Sequence, residues 1–166
     1  MKAPSHSPDH GALEAARFGI ARSKDWPKVA KEHLKLQPHC VACKGGTNLQ
    51  AKLQVHHIFP FQYCIALGRG DLELDQRNLI TLCEDEAGHP ADNHHLLVGH
   101  LDDFQSSNLT VVADARTTFH GMSAADIKKD ARWKQEEAHR LKPLDQMTPQ
   151  DQADFLALMN KRFPKK

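Results

Sequence analysis

Apolar positions first recur with a helical spacing after Ser23. Trp26, Val29, Ala30, His33 and Leu34 repeat at three and four residues, which predicts a helix. Ser23 is its expected N-cap, Pro27 suits its first turn, and Pro38 ends it. Beyond this helix the period shortens. Leu49 to Ile58 reads as a strand, with Leu53 and Val55 alternating against Gln54, and Phe59-Pro60 stops it. Residues 61–77, with Gly68-Arg69-Gly70 and the acids Asp71, Glu73 and Asp75, are expected to form a long loop. Asn78 to Cys83 predicts a second short strand, and an acidic loop follows to about Asn93. A helix is expected to begin within His94–His100. The C-terminal third returns to helical spacing. Ser123-Ala124-Ala125-Asp126 resembles a capping box ahead of a helix to about Leu141. Thr148-Pro149-Gln150-Asp151 precedes a helix ending near Phe163, whose stripe Phe155, Leu156, Met159 and Phe163 should pack on the core.

The order of these elements predicts an α+β fold in one unit of 166 residues, with residues 1–22 as an N-terminal arm. Hydrophobic residues make up 40% and charged residues 26%, a globular rather than a disordered balance. With 22 basic and 21 acidic residues the net charge is only +1, so attraction to a polyanion must come from a local patch. Lys24, Lys28, Lys31, Lys35 and Lys44 are the candidate patch. Asp71, Glu73, Asp75, Glu84, Asp85 and Glu86 form an acidic region expected to face away from it. No apolar run approaches the ~20 residues that cross a bilayer, and Met1 to Gly11 has no apolar core of a signal peptide. A cytoplasmic location without membrane contact is therefore expected.

The 12 histidines and four cysteines change the picture. Cys40-x-x-Cys43 is shared by redox motifs and zinc knuckles, and the βαβ setting of a redox site is missing. Cys83 supplies a third thiol at a separation that zinc sites tolerate, and His94 or His89 can be the fourth ligand. Cys64 has no place in this set and is expected to pack in the core. His56-His57 stands between the two halves of the cysteine set, while His94, His95 and His100 follow Cys83.

That order of thiols, paired histidines, asparagine, thiol and histidines resembles the HNH endonucleases of the ββα-metal (His-Me finger) fold, in particular phage and bacterial members with a zinc knuckle. The residues that carry the resemblance are Cys40-x-x-Cys43, Val55-His56-His57-Ile58-x-Pro60, Glu73-Leu74-Asp75-x-x-Asn78-Leu79-Ile80-Thr81-Leu82-Cys83 and His95-Leu96-Leu97-Val98-Gly99-His100. Arg22-Ser23-x-x-Trp26 is similar to the same group. The resemblance spans roughly half the chain. It implies a nuclease domain over residues 23–110 and leaves residues 111–166 as a helical extension. These relatives usually carry cysteine where this chain has His94, an exchange that keeps a zinc ligand.

The resemblance implies hydrolysis of DNA phosphodiester bonds. His57 would be the general base, and His56 and His95 would hold a catalytic divalent cation (Mg²⁺, Mn²⁺, Ni²⁺ or Zn²⁺). His100 would be a further ligand or a phosphate contact, and Asn78 would hold the loop that presents His57. A structural Zn²⁺ would sit on Cys40, Cys43, Cys83 and the fourth ligand. One physical difficulty stands against this arrangement. Neighbouring side chains of a strand point to opposite faces, so His56 and His57 diverge unless the strand ends or twists there. The competing expectation is a non-catalytic zinc-binding module that contacts nucleic acid or protein, which leaves the three histidines His56, His57 and His95 unexplained. A zinc hydrolase of another class would need a pattern such as H-E-x-x-H, which the chain lacks.

Overall fold

The predicted first helix forms as α1, Trp26–Leu36. At 100° per residue its sequence separates two faces. Trp26 and His33 turn inward, whereas Lys28, Lys31 and Lys35 fall on the opposite, exposed side. Ser23 does not take the N-cap position, which falls to Asp25. Ser23 instead makes a turn just upstream, its hydroxyl accepting from the Asp25 amide (3.2 Å). Its own amide is committed elsewhere, donating to the Glu73 carboxylate at 2.7 Å. The start of α1 is thereby tied to a segment fifty residues away.

The structure, a computed structural model, describes residues 19–43, 52–84 and 93–165. Most of the expected arm over 1–22, together with Lys44, Asp85, Glu86 and His89, lies outside the described residues. The architecture is α+β: short helices around one two-stranded antiparallel sheet. β1 (Lys52–His57) pairs with β2 (Leu79–Glu84) in a register that sets Lys52 opposite Glu84 and His57 opposite Leu79. Asn78, expected in β2, closes a 3₁₀ turn before it. Every residue of β2 is buried, Thr81 and Glu84 included, so its sequence shows no alternation of apolar and polar positions.

Three other expectations are corrected. Residues 61–77 are not one loop: α2 (Phe61–Ala66) and a 3₁₀ turn (Gly70–Glu73) lie within them. Phe61, Gln62, Tyr63 and Cys64 are all buried, so the segment shows no amphipathic period by which to find it. His94–His100 does not open an α-helix but contains one wide π-type turn, His95–Gly99. The helix expected from Ser123 to about Leu141 is two helices, α4 (Ala124–Lys129) and α5 (Ala131–Ala138). Asp130 breaks it by adopting an extended conformation and capping α5 through the Arg132 amide.

Between the wide turn and α4, α3 (Val111–Ala113) runs into a second π-type turn, Asp114–Thr118. The last helix, α6 (Pro149–Arg162), starts at Thr148 with a capping box between Thr148 and Asp151. Its Phe155 and Met159 are buried, and Phe59 meets Phe155 and Phe163 edge to face, each at 5.6 Å. One apolar core takes in Cys40, Leu82 and Val98 from the first part of the chain and Phe119, Ile127, Trp133 and Phe155 from the last third. Buried Arg69 ties them further, donating to Asp71, to the Asn160 side chain (2.8 Å) and to the Phe163 carbonyl (2.8 Å). Among the described residues no helix is long and apolar enough to cross a membrane.

Glu136 on α5 gives this packing a pH dependence. Burial and the neighbouring Asp114 carboxylate push its carboxyl up to about 7. A native value above the unfolded one means the folded state holds the proton more tightly. Stability is then full below about pH 4.5, the ordinary value, and declines as pH rises through about 7. Glu136→Gln should remove this contribution, so that the urea midpoint falls less from pH 5 to pH 8 than it does in the parent protein.

Candidate metal centres

The knuckle comes together from three parts of the chain. Cys40 and Cys43 follow α1, Cys83 is the penultimate residue of β2, and His94 precedes the wide turn. All four are buried, and their ligand atoms lie within 4.8 Å of one another. Cys43 Sγ is 3.8 Å from Cys83 Sγ, too far for a disulfide. His94 Nδ1 is 3.2 Å from Cys83 Sγ, 3.5 Å from Cys43 Sγ and 3.7 Å from Cys40 Sγ. A tetrahedral zinc with ordinary bond lengths separates its sulfurs by about 3.8 Å and sulfur from nitrogen by about 3.5 Å. The group therefore fits a structural metal such as zinc, and His94 occupies the fourth position.

The thiols of the cluster shift in opposite directions, Cys83 being pushed well above its ordinary value by its contacts with Cys40 and Cys43 and by burial. Contacts from Cys43 and Cys83 hold the Cys40 thiol well below its ordinary value against the opposing effect of burial. Burial disfavours charge on His94, but the Cys40 and Cys43 sulfurs outweigh it and raise the imidazole to about 10. A divalent cation bound here takes the place of the protons that thiol and imidazole otherwise hold. The C-terminal part braces the cluster from outside. His94 Nε2 donates to the Met122 carbonyl at 2.9 Å, which leaves Nδ1 as the ligand atom. The Gly121 amide donates to the Ala42 carbonyl (2.8 Å) and His120 Nδ1 to the Val41 carbonyl (3.1 Å).

A second cluster lies on the other side of the His94–His95 peptide. His56, His95 and His100 have ligand nitrogens within 4.8 Å of one another. Their rings stand nearly perpendicular in every pairing, with interplanar angles of 75°, 89° and 81°. The wide turn brings His95 and His100 together. Five residues along an α-helix put side chains about 140° apart, whereas a π turn closes its hydrogen bonds at that separation. The two Nε2 atoms are accordingly 3.2 Å apart. Nitrogens sharing one cation at about 2.0–2.1 Å are separated by about 2.9 to 3.4 Å, depending on coordination geometry. His100 Nδ1 donates to the Ser106 carbonyl at 2.7 Å, which turns its Nε2 lone pair toward His95.

His56 Nε2 is buried and finds no hydrogen-bond partner among the described residues. Burial and the facing His100 and His95 imidazoles hold His56 well below its ordinary value, so its ring is neutral and able to ligate. The donor set thus fits a divalent transition metal. Gly99 permits the approach of His56. A Cβ there would lie 3.1 Å from the ring Cε1 and Nδ1 and 3.3 Å from Leu82 Cδ1. Gly99→Ala should displace the His56 ring and weaken cobalt(II) uptake by the trio, read in a titration, while zinc content stays unchanged.

His57 stands apart from the trio. β1 keeps its regular pairing to its last residue, and the two histidines acquire different neighbours. His57 stacks on Trp26 (4.5 Å between centroids) and meets Phe61 at 5.8 Å. Its Nε2 donates to the Glu73 carbonyl at 2.8 Å. Asn78 holds the turn after His57 on both sides. It accepts from the Phe59 amide (2.8 Å) and donates to the Phe59 and Leu72 carbonyls (2.9 and 3.0 Å).

Lys24, Lys28, Lys31 and Lys35 are exposed. The acidic region is not a single surface. Glu73 is buried beside Ser23, and Glu84 is buried 3.9 Å from His95 Nδ1. Burial raises the Glu84 carboxyl, but the His95 imidazole outweighs it and the net shift is downward. Cys64 is buried and donates to the Phe59 carbonyl, consistent with packing. Glu84, Gly99, His120 and Met122 escape sequence reasoning because each acts through a partner brought to it by the fold. No family model, curated protein or solved structure matches the chain.

Proposed function

We propose that the chain is a metal-dependent endonuclease of the HNH type that hydrolyses DNA phosphodiester bonds. The observation that carries this reading is the meeting of His56, His95 and His100 around one point, immediately beside a separate Cys40/Cys43/Cys83/His94 cluster. In this reading β1, β2 and the wide turn His95–Gly99 serve as the ββα-metal core, with one turn standing where the helix would be.

The scissile phosphate lies across the end of β1, between the faces presented by His56 and His57. His56, His95 and His100 would hold a divalent cation, which when bound would supply charge relief to the phosphate and to the leaving oxygen. His57 takes the proton of an attacking water, its ring held in place by the Glu73 carbonyl. Trp26 packs against the His57 ring and limits its rotation. Asn78 fixes the backbone that follows. Lys24, Lys28, Lys31 and Lys35 contact the DNA backbone, which gives sequence-tolerant, salt-sensitive affinity.

The test is conversion of supercoiled plasmid to the open circle with Mg²⁺, Mn²⁺, Ni²⁺ or Zn²⁺, and with EDTA as control. Cleavage with at least one cation and none in EDTA is the expected result. Binding without cleavage under every cation overturns the proposal in favour of a non-catalytic zinc-binding interaction module.

A further inference from the structure

Two neighbouring residue pairs face each other across the two clusters. Cys83 and Glu84 are the last residues of β2, so their side chains leave on opposite faces. His94 and His95 are also consecutive. Cys83 Sγ meets His94 Nδ1 at 3.2 Å, and Glu84 Oε1 faces His95 Nδ1 at 3.9 Å. The same two stretches of backbone therefore build both sites.

The faces of the His95 ring have different surroundings. Nε2 points at His100 Nε2, 3.2 Å away. Nδ1 is buried and has no hydrogen-bond partner among the described residues. A ligating imidazole uses one nitrogen for the cation and donates from the other, most often to a carboxylate or carbonyl. Glu84 lies on the donating side, away from the trio, so it is no ligand. Its 3.9 Å separation is longer than a hydrogen bond and within the range of an ion pair.

We propose that Glu84 is the positioning residue for His95: its carboxylate accepts from Nδ1–H and presents Nε2 to the cation, with the knuckle fixing both backbones through Cys83 and His94. This rests on the reading that His56, His95 and His100 hold a cation.

The experiment titrates cobalt(II) into the zinc-loaded full chain, followed by calorimetry and visible absorption. Thiolate-to-cobalt bands report any exchange at the knuckle, since the histidine trio has no sulfur. The parent chain should take up one cobalt ion without those bands. Glu84→Ala should bind it about 10–100-fold more weakly, and Glu84→Gln, which keeps an acceptor without the charge, should fall between. Zinc content and thermal midpoint before cobalt addition should match the parent in the Gln variant, which a merely structural role would not predict. Unchanged cobalt affinity in both variants overturns the positioning role and leaves the nuclease proposal standing. No cobalt uptake by the parent overturns both.

Discussion

His57→Ala should slow plasmid cleavage about 10²–10⁴-fold, the usual contribution of a general base, while circular dichroism and zinc content stay at the parent level. His57 is well placed for so selective an effect. Its ring lies at the end of β1, where it contacts Trp26 and Phe61 but belongs to neither ligand cluster. Truncation removes the ring contacts with Trp26 and Phe61 and leaves the Glu73 carbonyl without this donor, the latter a loss of about 1–3 kcal/mol that a folded domain survives. Glutamine at position 57 keeps a donor for that carbonyl without a proton-accepting nitrogen. It should be as inactive as alanine and closer to the parent in stability. Loss of fold in both variants would make His57 a structural residue.

The knuckle variants should fail in the opposite way. Cys43→Ser, Cys83→Ser or His94→Ala should release zinc and unfold the chain. Structural zinc contributes roughly 10–16 kcal/mol of apparent binding free energy in small domains, against a total stability of about 5–15 kcal/mol. The cluster joins the end of α1, the end of β2 and the start of the wide turn, and Met122 locks it from the C-terminal side. Its loss removes the fixed points that set the β1–β2 ribbon against the helices. A chelator strong enough to strip the knuckle should abolish the cooperative thermal transition, and readdition of zinc should restore it. A transition that persists after zinc removal would show that the apolar core holds the fold alone.

The sequence made some of this legible for physical reasons that can be named. α1 was readable because Trp26 and His33 point inward while Lys28, Lys31 and Lys35 point outward, a contrast intrinsic to the helical period. α6 was readable from Thr148 and Asp151, whose capping bonds are local. The thiols of the knuckle were readable because Cys40-x-x-Cys43 lacks a redox setting and Cys83 lies at a spacing zinc sites tolerate, whereas the sequence alone leaves open the choice between His94 and His89. Buried α2 was hidden, since its first four residues are buried on every side, Gln62 included, and leave no stripe. The wide turn was hidden because five-residue spacing means divergence in an α-helix and convergence in a π turn. Glu84 looked like part of an acidic surface, and only the pairing of β2 with the start of the wide turn puts it beside His95. The braces from His120 and Met122 come from residues far along the chain, with no local pattern to announce them.

Zinc-loaded parent, His56→Ala and His57→Ala proteins, incubated side by side with supercoiled plasmid and the activating cation, put the central claim to its most direct test. The parent should produce open circles while both variants, still folded and still carrying zinc, leave the plasmid intact. Plasmid left supercoiled by the parent, or opened equally by all three proteins, would contradict the account.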